Sequence, residues 1–479
     1  MAIDLDESLD RRSPEADGFL KGLQGNILKA HGRHHAWHLI IDFGEPSDEK
    51  DWKERRGRVR SWIGGMAETR VTDALTQSKQ EKADDFHTLL LSSAGYQFLD
   101  EKRPKEGGGA FRKGMQNSIS DLHDPAFEEW EPVYQHRTDE IHALVIIAND
   151  DTTKLAAAKA KLEADVVGFG GRILVSEAGD QQTDVFNGKE REIEHFGYAD
   201  GVSQPQFIYN GQAEKEAEKE KAFSQLTPLK RVLDEDRHAR GTFGSFVVYR
   251  KLEQNVKSFN EAVQRVSDDL GLDIDLAGAM TVGRFKNGTP VTSYETRQSG
   301  YDPHNDEDFD FDNDEDKDGG RCPFHAHIRK VNPRGSVGGG LFGFIVRFLA
   351  KERKRRIVRR GITYGARPDR ENGGEPPLAG VGLIFICYQN DISDQFEFIQ
   401  KQWANDRKFP IRGKAGIDPV IGRAGGEEED KDDPHYPTKW DAPKDDRQRV
   451  KFGEHVRLRG GEYFYAPSMQ ALKNLSAAE

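Results

Sequence analysis

The segment from Cys322 to Arg334 holds side chains that could perform several kinds of chemistry. It places His325 and His327 two residues apart, and on a strand or in a loop residues at that spacing can share one face. Two imidazoles on one face suit a zinc ion, whereas one neutral imidazole suits the axial position of a haem iron. A third interpretation, one core histidine and one surface histidine, needs no metal. From these residues by themselves the three interpretations stay open.

A second segment, from His195 to Pro205, presents one carboxylate between two glycines. Gly197 and Gly201 frame Asp200, and glycine allows a backbone to approach a planar ligand closely. The turn would hold the carboxylate of Asp200 at its tip. An ordinary Asp-Gly turn explains the same residues without any ligand.

A third segment, from Arg355 to Gly365, contains the adjacent cations Arg359 and Arg360. Neighbouring residues of a strand face opposite sides, so one of the two can point inward to an anionic site. A solvated basic face is the alternative interpretation.

The composition excludes several classes of protein. A net charge of −13 over 479 residues argues against nucleic-acid binding, which needs a basic surface. The two cysteines, Cys322 and Cys387, are too few for a disulfide scaffold or a four-thiolate metal cluster. No Cys-x-x-Cys-His occurs, so any haem would not be of the c type. The longest apolar runs, Ala143–Ala148 and Val381–Tyr388, are much too short to cross a membrane.

The first residues, Met1–Pro14, are polar and acidic. No apolar segment of signal-peptide length follows them, so a cytoplasmic protein is expected. A second stretch of unusual composition, Asp302–Asp318, holds ten acidic residues. Its last acidic residues have the spacing found at the start of a calcium-binding loop. The twelfth position of that loop is His325, not the bidentate glutamate that calcium requires. A solvated acidic loop is therefore predicted, and whether it binds a cation is left open.

The elements that must position these side chains form two similar series. The first series predicts strands at Trp37–Phe43, Thr88–Ser92, Ala143–Ala148 and Arg172–Ser176, and a helix at Lys154–Val167. The second predicts strands at Ser245–Leu252, Ile357–Tyr364, Gly382–Tyr388 and Glu462–Ala466, and helices at Val256–Leu270 and Ile392–Trp403. With a helix assumed between the first two strands, the order of the first series fits a ferredoxin-like unit. We predict two such domains, 1–211 with the Asp200 loop near its end and 212–479.

Together, these segments resemble the dye-decolourising peroxidase family. The loop at Asp200 matches the family's Gly-x-x-Asp-Gly fingerprint, and Cys322–Arg329 resembles its proximal histidine segment. Further segments resemble family motifs in the same order along the chain: Leu23–Leu28, Gly244–Leu252, Gly283–Phe285 with Phe for Trp, Arg359–Gly361 and Gly382–Phe385. The resemblance extends over about residues 18–470, and the long insertions are similar to those of the larger members.

The resemblance implies an α+β fold of tandem ferredoxin-like domains, of the dimeric α+β barrel type, with antiparallel sheets and helices packed around them. It implies one b-type haem per chain, bound by the second domain. Its partners would be hydrogen peroxide and aromatic reductants such as dyes and phenols, with no nucleic acid and no membrane. The state of assembly, monomer or homodimer, is left open.

The resemblance also assigns roles to residues. His327 becomes the proximal ligand of the haem iron, Asp200 the distal acid–base group and Arg359 the distal cation. Asp391 is the candidate partner for the ring N–H of His327. The other residues expected at the haem are Gly201, Arg334, Leu383 and Phe385, with Arg334 as a candidate contact to a propionate.

Two other functions stay open at this point. One is a haem-binding or iron-handling protein on the same fold, with only weak peroxidase activity, because a fold does not determine function. The other is a cation-binding or interaction protein without haem, built on the acidic segment 302–318.

Overall fold

A ten-stranded antiparallel sheet is the centre of the molecule. The computed structural model of the chain describes residues 3–136, 138–221, 223–301, 309, 311, 316–334, 352–367, 374–410, 415–424 and 433–477. The strands of the sheet are β1 (His35–Asp42), β2 (Phe86–Ser92), β3 (Ala143–Ala148), β4 (Arg172–Asp180), β5 (Asp234–Glu235), β6 (Phe243–Gln254), β7 (Val358–Arg359), β8 (Ile362–Tyr364), β9 (Gly382–Gln389) and β10 (Val456–Ala466).

The order of the strands confirms the α+β fold with two ferredoxin-like halves. The sheet runs β7-β9-β6-β10-β2-β3-β1-β4, with β8 beside β9 and β5 beside β6. In each half the fourth strand lies beside the first, and the third lies between the first and the second, as in a ferredoxin-like unit. The halves join where β10 pairs with β2, at Phe464 with Ser92 and Tyr465 with Leu91.

The two outer edges of this sheet also meet. The hydroxyl of Thr363 on β8 donates to the carbonyl of Asp180 on β4 at 2.6 Å. The same hydroxyl accepts from the backbone N–H of Gln182 at 2.7 Å. The sheet is therefore curved toward a barrel. Strand β4, at the end of the first half, lies against β8 of the second half.

Helices cover the outside of the sheet. Helices of the described chain are Ala16–Gly22, Glu49–Thr69, Ala74–Gln77, Ser93–Phe98, Ala110–Lys113, Ile119–Leu122, Thr152–Phe169, Gln212–Glu220, Val256–Leu270, Ile274–Val282, His327–Val331 and Met469–Ala477. A further helical segment with wide, π-type turns runs from Ser393 to Ala404. Short strand pairs outside the sheet are Leu9–Asp10 with Ile208–Tyr209, Thr183–Phe186 with Lys189–Glu192, and His435–Pro437 with Arg447–Arg449. Across the described residues, no helix combines the length and the apolar character that crossing a membrane requires.

Local sequence signals explain why the predicted helices form where they do. Val256–Leu270 is confirmed: the side chain of Asn255 accepts from the N–H of Ser258 at 3.0 Å, and the helix ends at Gly271 with φ +65°. An asparagine cap and a left-handed glycine are the usual start and stop of a helix. The predicted strand Ile357–Tyr364 differs, because it is interrupted at Arg360 and Gly361 into β7 and β8.

Two predictions fall partly or wholly beyond what the structure tests. The boundary between 211 and 212 stays a prediction. Most of the acidic segment 302–318 lies outside the described residues. Within this segment, Asp316 is buried, and its carboxylate lies 2.9 Å from the guanidinium of Arg329. This carboxylate therefore forms an internal ion pair.

Candidate active site

A cavity of about 480 Å³ lies on the helix-covered face of the sheet, within the range of pockets that hold cofactors and drug-sized ligands. Strands β6 and β9 supply one wall, with Leu252, Leu383 and Phe385 among the lining side chains. The loop that carries Asp200 supplies another part, and the short helix that begins at His327 supplies a third. Residues from both halves of the chain therefore line the cavity.

His327 is held in one orientation by a buried carboxylate. Its Nδ1 donates to Oδ2 of Asp418 at 2.8 Å, and the Asp418 side chain is fully buried. The other carboxylate oxygen of Asp418 accepts from the N–H groups of Val420 and Ile421, at 2.8 and 3.0 Å. Because Asp418 fixes Nδ1 as the protonated nitrogen, Nε2 is the ring nitrogen of His327 left to accept or to bind a metal.

The structure separates the two histidines that the sequence places two residues apart. His325 is fully buried beside Tyr436, with the two rings 4.3 Å apart, and does not line the cavity. Neither ring nitrogen of His325 has a hydrogen-bond partner among the described residues. Burial holds the pKa of the His325 imidazole well below its usual range. His325 is therefore a neutral core residue.

The prediction that Asp391 partners His327 is wrong. Asp391 follows β9, where its carboxylate accepts from the N–H of Asp394 at 2.8 Å and from the N–H of Gly107 at 3.1 Å. It caps the start of the helical segment Ser393–Ala404 and does not line the cavity. Asp418 has the position that the sequence analysis gave to Asp391.

Asp200 reaches the cavity from its turn together with Gly201. The N–H of Gly201, at φ +74°, donates to Oδ1 of Asp200 at 2.7 Å. The same oxygen lies 3.5 Å from Nη1 of Arg359. Both side chains are partly exposed, at 29% and 36%, so the pair faces the open part of the cavity with its charges accessible to a small ligand.

The neighbouring arginines have different surroundings. Arg359 on β7 lines the cavity, and its Nη2 donates to the carbonyl of Val202 at 3.0 Å. Arg360 also borders the cavity, but its guanidinium donates to the carbonyls of Asn26 and Ile27, at 2.9 and 3.3 Å. Burial lowers the pKa of Arg360 to about 10. Arg360 therefore holds the N-terminal segment, and Arg359 is the cation beside Asp200.

The remaining predicted residues also line the cavity. Leu383 and Phe385 alternate on β9 and present the same face, both half-buried. Arg334 is buried, with its Nη2 donating to the hydroxyl of Ser203 at 2.6 Å and its guanidinium stacked 4.1 Å from the ring of Phe309. It is a buried cation in the lining of the cavity.

Sequence reasoning missed several polar residues of this site, among them Asp418, Glu194 and Gln254. Asp418 stands before Pro419 in a Gly- and Pro-containing loop, which predicts a turn but no metal-linked role. Glu194 and Gln254 line the cavity near Asp200. Glu194 lies next to the Asp200 motif, and that proximity was the available signal.

Comparisons with known proteins find relatives that match nearly the whole chain. Residues 345–409 match the family model described as Dyp-type peroxidase, C-terminal. The chain is similar to the multifunctional dye peroxidase DyP2 of Amycolatopsis sp., with 34% identity over 99% of this chain and 100% of that protein. It is also similar to the dye-decolorizing peroxidase msp1 of Mycetinis scorodonius, with 29% identity over 81% of this chain and 75% of that protein. The crystal structure of a DyP-type peroxidase from Anabaena sp. superposes with a TM-score of 0.85, at 34% identity over 98% of this chain and 99% of that one.

Proposed function

The chain belongs to the dye-decolourising peroxidase family, and on that premise we propose that His327 holds a haem iron, Asp200 is the distal acid–base group and Arg359 the distal cation. The protein is a peroxidase, an oxidoreductase that uses peroxide. One observation supports these roles: the same cavity is lined by the His327 imidazole, which is hydrogen-bonded to Asp418, and by the ion pair of Asp200 with Arg359.

The donor set of the cavity fits haem. A histidine whose Nδ1 donates to a carboxylate is a usual ligand of haem iron, because the carboxylate sets the tautomer and makes Nε2 more basic. Leu383 and Phe385 offer apolar surface to a flat macrocycle, and the buried cation Arg334 suits a propionate. Haem in this cavity would supply the iron at which the O–O bond of peroxide is cleaved, and the oxidising equivalents that are passed to the substrate.

The chain's own residues would move the protons. The carboxylate of Asp200 would take a proton from hydrogen peroxide and return it to the oxygen that leaves as water. The guanidinium of Arg359 would stabilise negative charge on that oxygen. His327 would hold the iron through Nε2, while Asp418 keeps its ring in place.

Dyes and phenols are proposed as the reducing substrates, in keeping with the names of the relatives. The test is an absorption spectrum of the purified protein followed by a peroxide titration with a dye as reductant. A Soret band, and dye oxidation that depends on Asp200, are expected. A Soret band with weak, Asp200-independent turnover would instead indicate a haem-binding or iron-handling protein, and no Soret band would contradict the haem assignment.

Replacing Asp418 by Asn is expected to weaken haem binding about 10- to 100-fold. It is also expected to shift the reduction potential of the iron upward, because a neutral amide makes the His327 ring less electron-donating. Haem titration of the apoprotein and spectroelectrochemistry measure the two effects. Asp391→Asn is the matched control, since this carboxylate caps a helix away from the cavity. Equal effects of the two substitutions would contradict the assignment of Asp418.

Replacing Arg359 by Leu is expected to slow the reaction with peroxide about 10²- to 10³-fold, the usual effect of removing one charge-stabilising donor. Arg360→Leu is expected to change this rate much less. It should instead lower the free energy of unfolding by about 2 kcal/mol, because buried carbonyls lose their donor. Stopped-flow mixing with peroxide and chemical denaturation separate the two. The reverse ranking of the peroxide rates would assign the distal cation to Arg360.

A further inference from the structure

The turn that precedes Asp200 is built around the side chain of Glu194. The backbone closes on itself, since the N–H of Gly197 donates to the carbonyl of Glu194 at 2.9 Å. The carboxylate lies inside this turn: Oε2 accepts from the N–H of Phe196 at 2.8 Å, and Oε1 accepts from the N–H of Tyr198 at 3.0 Å. Both oxygens of Glu194 are therefore used to shape the backbone that leads to Asp200.

A residue of the second half of the chain joins the same carboxylate. Gln254, the buried last residue of β6, donates from its side-chain nitrogen to Oε2 of Glu194. The amide oxygen of Gln254 accepts from the N–H of His195 at 3.4 Å. The ring of His195 donates from Nε2 to the carbonyl of Tyr364 on β8 at 2.9 Å. The turn is thus tied to the two strands β6 and β8.

These ties set where Asp200 lies relative to the rest of the cavity. Leu252 on β6 lines the cavity two residues before Gln254, and β8 is hydrogen-bonded to β9, which carries Leu383. Phe196 in the turn stacks on Phe259 at 3.9 Å, which anchors the turn to the helix Val256–Leu270. A shift at Glu194 would therefore move Asp200 against the walls of the cavity.

Glu194 also lines the cavity, so it could be taken for the base itself. Its oxygens already accept hydrogen bonds from Phe196, Tyr198 and Gln254, whereas Oδ1 of Asp200 faces Arg359. Burial raises the pKa of the Glu194 carboxyl, the three donors oppose this, and the charge of Asp200 raises it further. The hydrogen bonds from these donors stabilise the buried carboxylate, and the carboxylate in turn holds the donors in place. This arrangement suits a residue that positions the turn.

We propose that Glu194 is a positioning residue: its carboxylate, clamped by Gln254, holds the turn so that Asp200 meets peroxide in the correct place. The inference rests on the proposed role of Asp200 and deepens it. It makes the contact between the two halves of the chain a determinant of the reaction with peroxide.

The first test is Glu194→Gln, which puts an N–H₂ group against a backbone N–H. We expect roughly a 10- to 100-fold slower reaction with peroxide, as for other small misplacements of a catalytic group. Haem content and the KM for the dye should stay at the wild-type values, because the proximal side and the substrate contacts are unchanged. Hydrogen–deuterium exchange of the peptide 195–203 should become faster. Glu190→Gln, on the exposed hairpin four residues earlier, is the matched control and should change none of these quantities.

A double-mutant cycle with Asp200→Asn distinguishes positioning from direct action. If Glu194 acts through Asp200, Glu194→Gln should cost little more once Asp200 is already Asn. A further slowing by the full factor in that background would overturn the proposal. A wild-type peroxide rate in Asp200→Asn itself would instead overturn the role of Asp200, so the two failures can be told apart.

Gln254 supplies a second variant in case Glu194→Gln does not fold. Gln254→Ala removes the clamp and leaves the Glu194 carboxylate, and we expect it too to slow the peroxide reaction at unchanged haem content. The exchanged pair Glu194→Gln with Gln254→Glu restores one donor–acceptor contact and should recover part of the rate. A wild-type peroxide rate in Gln254→Ala, or no recovery in the exchanged pair, would overturn the proposal.

Discussion

The His327→Ala protein is expected to purify with little or no bound haem. Nε2 of His327 is the ring nitrogen left free by the hydrogen bond to Asp418, and alanine offers the iron no ligand. The Soret absorbance per protein, measured after incubation of the apoprotein with haem, checks this. Peroxide-dependent dye oxidation should fall to the background of free haem.

His325→Phe is the control for this prediction. The ring of His325 lies against Tyr436 and away from the cavity, so a phenyl ring should fill its volume and leave haem binding as in the wild type. Addition of imidazole to His327→Ala protein is a second check, because a free ligand entering the vacated position should restore part of the haem binding. Normally ligated haem in His327→Ala, or loss of haem in His325→Phe, would move the ligand to another residue.

The Asp200→Asn protein is expected to bind haem normally but to react with peroxide about 10²- to 10⁴-fold more slowly. That range is the usual contribution of a positioned general acid–base group, and an amide cannot take up the proton. The turn should survive, since Asn can still accept from the N–H of Gly201 and tolerates such turns. Stopped-flow mixing with peroxide measures the rate, and the Soret spectrum confirms the haem.

Asp200→Glu is the companion variant, with the same acid on a side chain one methylene longer. It should lie between the wild type and Asp200→Asn, because the proton acceptor is present but displaced from Arg359. A wild-type rate in Asp200→Asn would remove Asp200 from the mechanism and leave Arg359 as the main distal group.

Local patterns in the sequence were enough to predict most of the elements. The helix Val256–Leu270 has buried side chains at Val256, Phe259, Val263 and Val266, a spacing of three to four residues that belongs to one helix face. Strand β3, Ala143–Ala148, is apolar throughout because it is buried between β1 and β2. Such patterns depend on residues that are close in the chain, so they can be recognised without the fold.

The segments with the proposed catalytic side chains could also be recognised from the sequence, but the choice within each segment could not. His325 and His327 differ by two positions, and Arg359 and Arg360 by one. What distinguishes them is the neighbour that each side chain meets: Asp418 for His327, and the carbonyl of Asn26 for Arg360. These neighbours are 91 and 334 residues away along the chain.

The sequence is therefore sufficient to predict the family, the ferredoxin-like order of the elements and the segments that form the cavity. The tertiary structure decided the partner of His327, the cation beside Asp200 and the clamp from Gln254 to Glu194. The physical reason is that a carboxylate's role depends on which donors reach it. Asp391 and Asp418 are the same residue type, yet one meets backbone N–H groups at a helix start and the other meets an imidazole at the cavity. Only the packing of the two halves around one sheet brings those groups together.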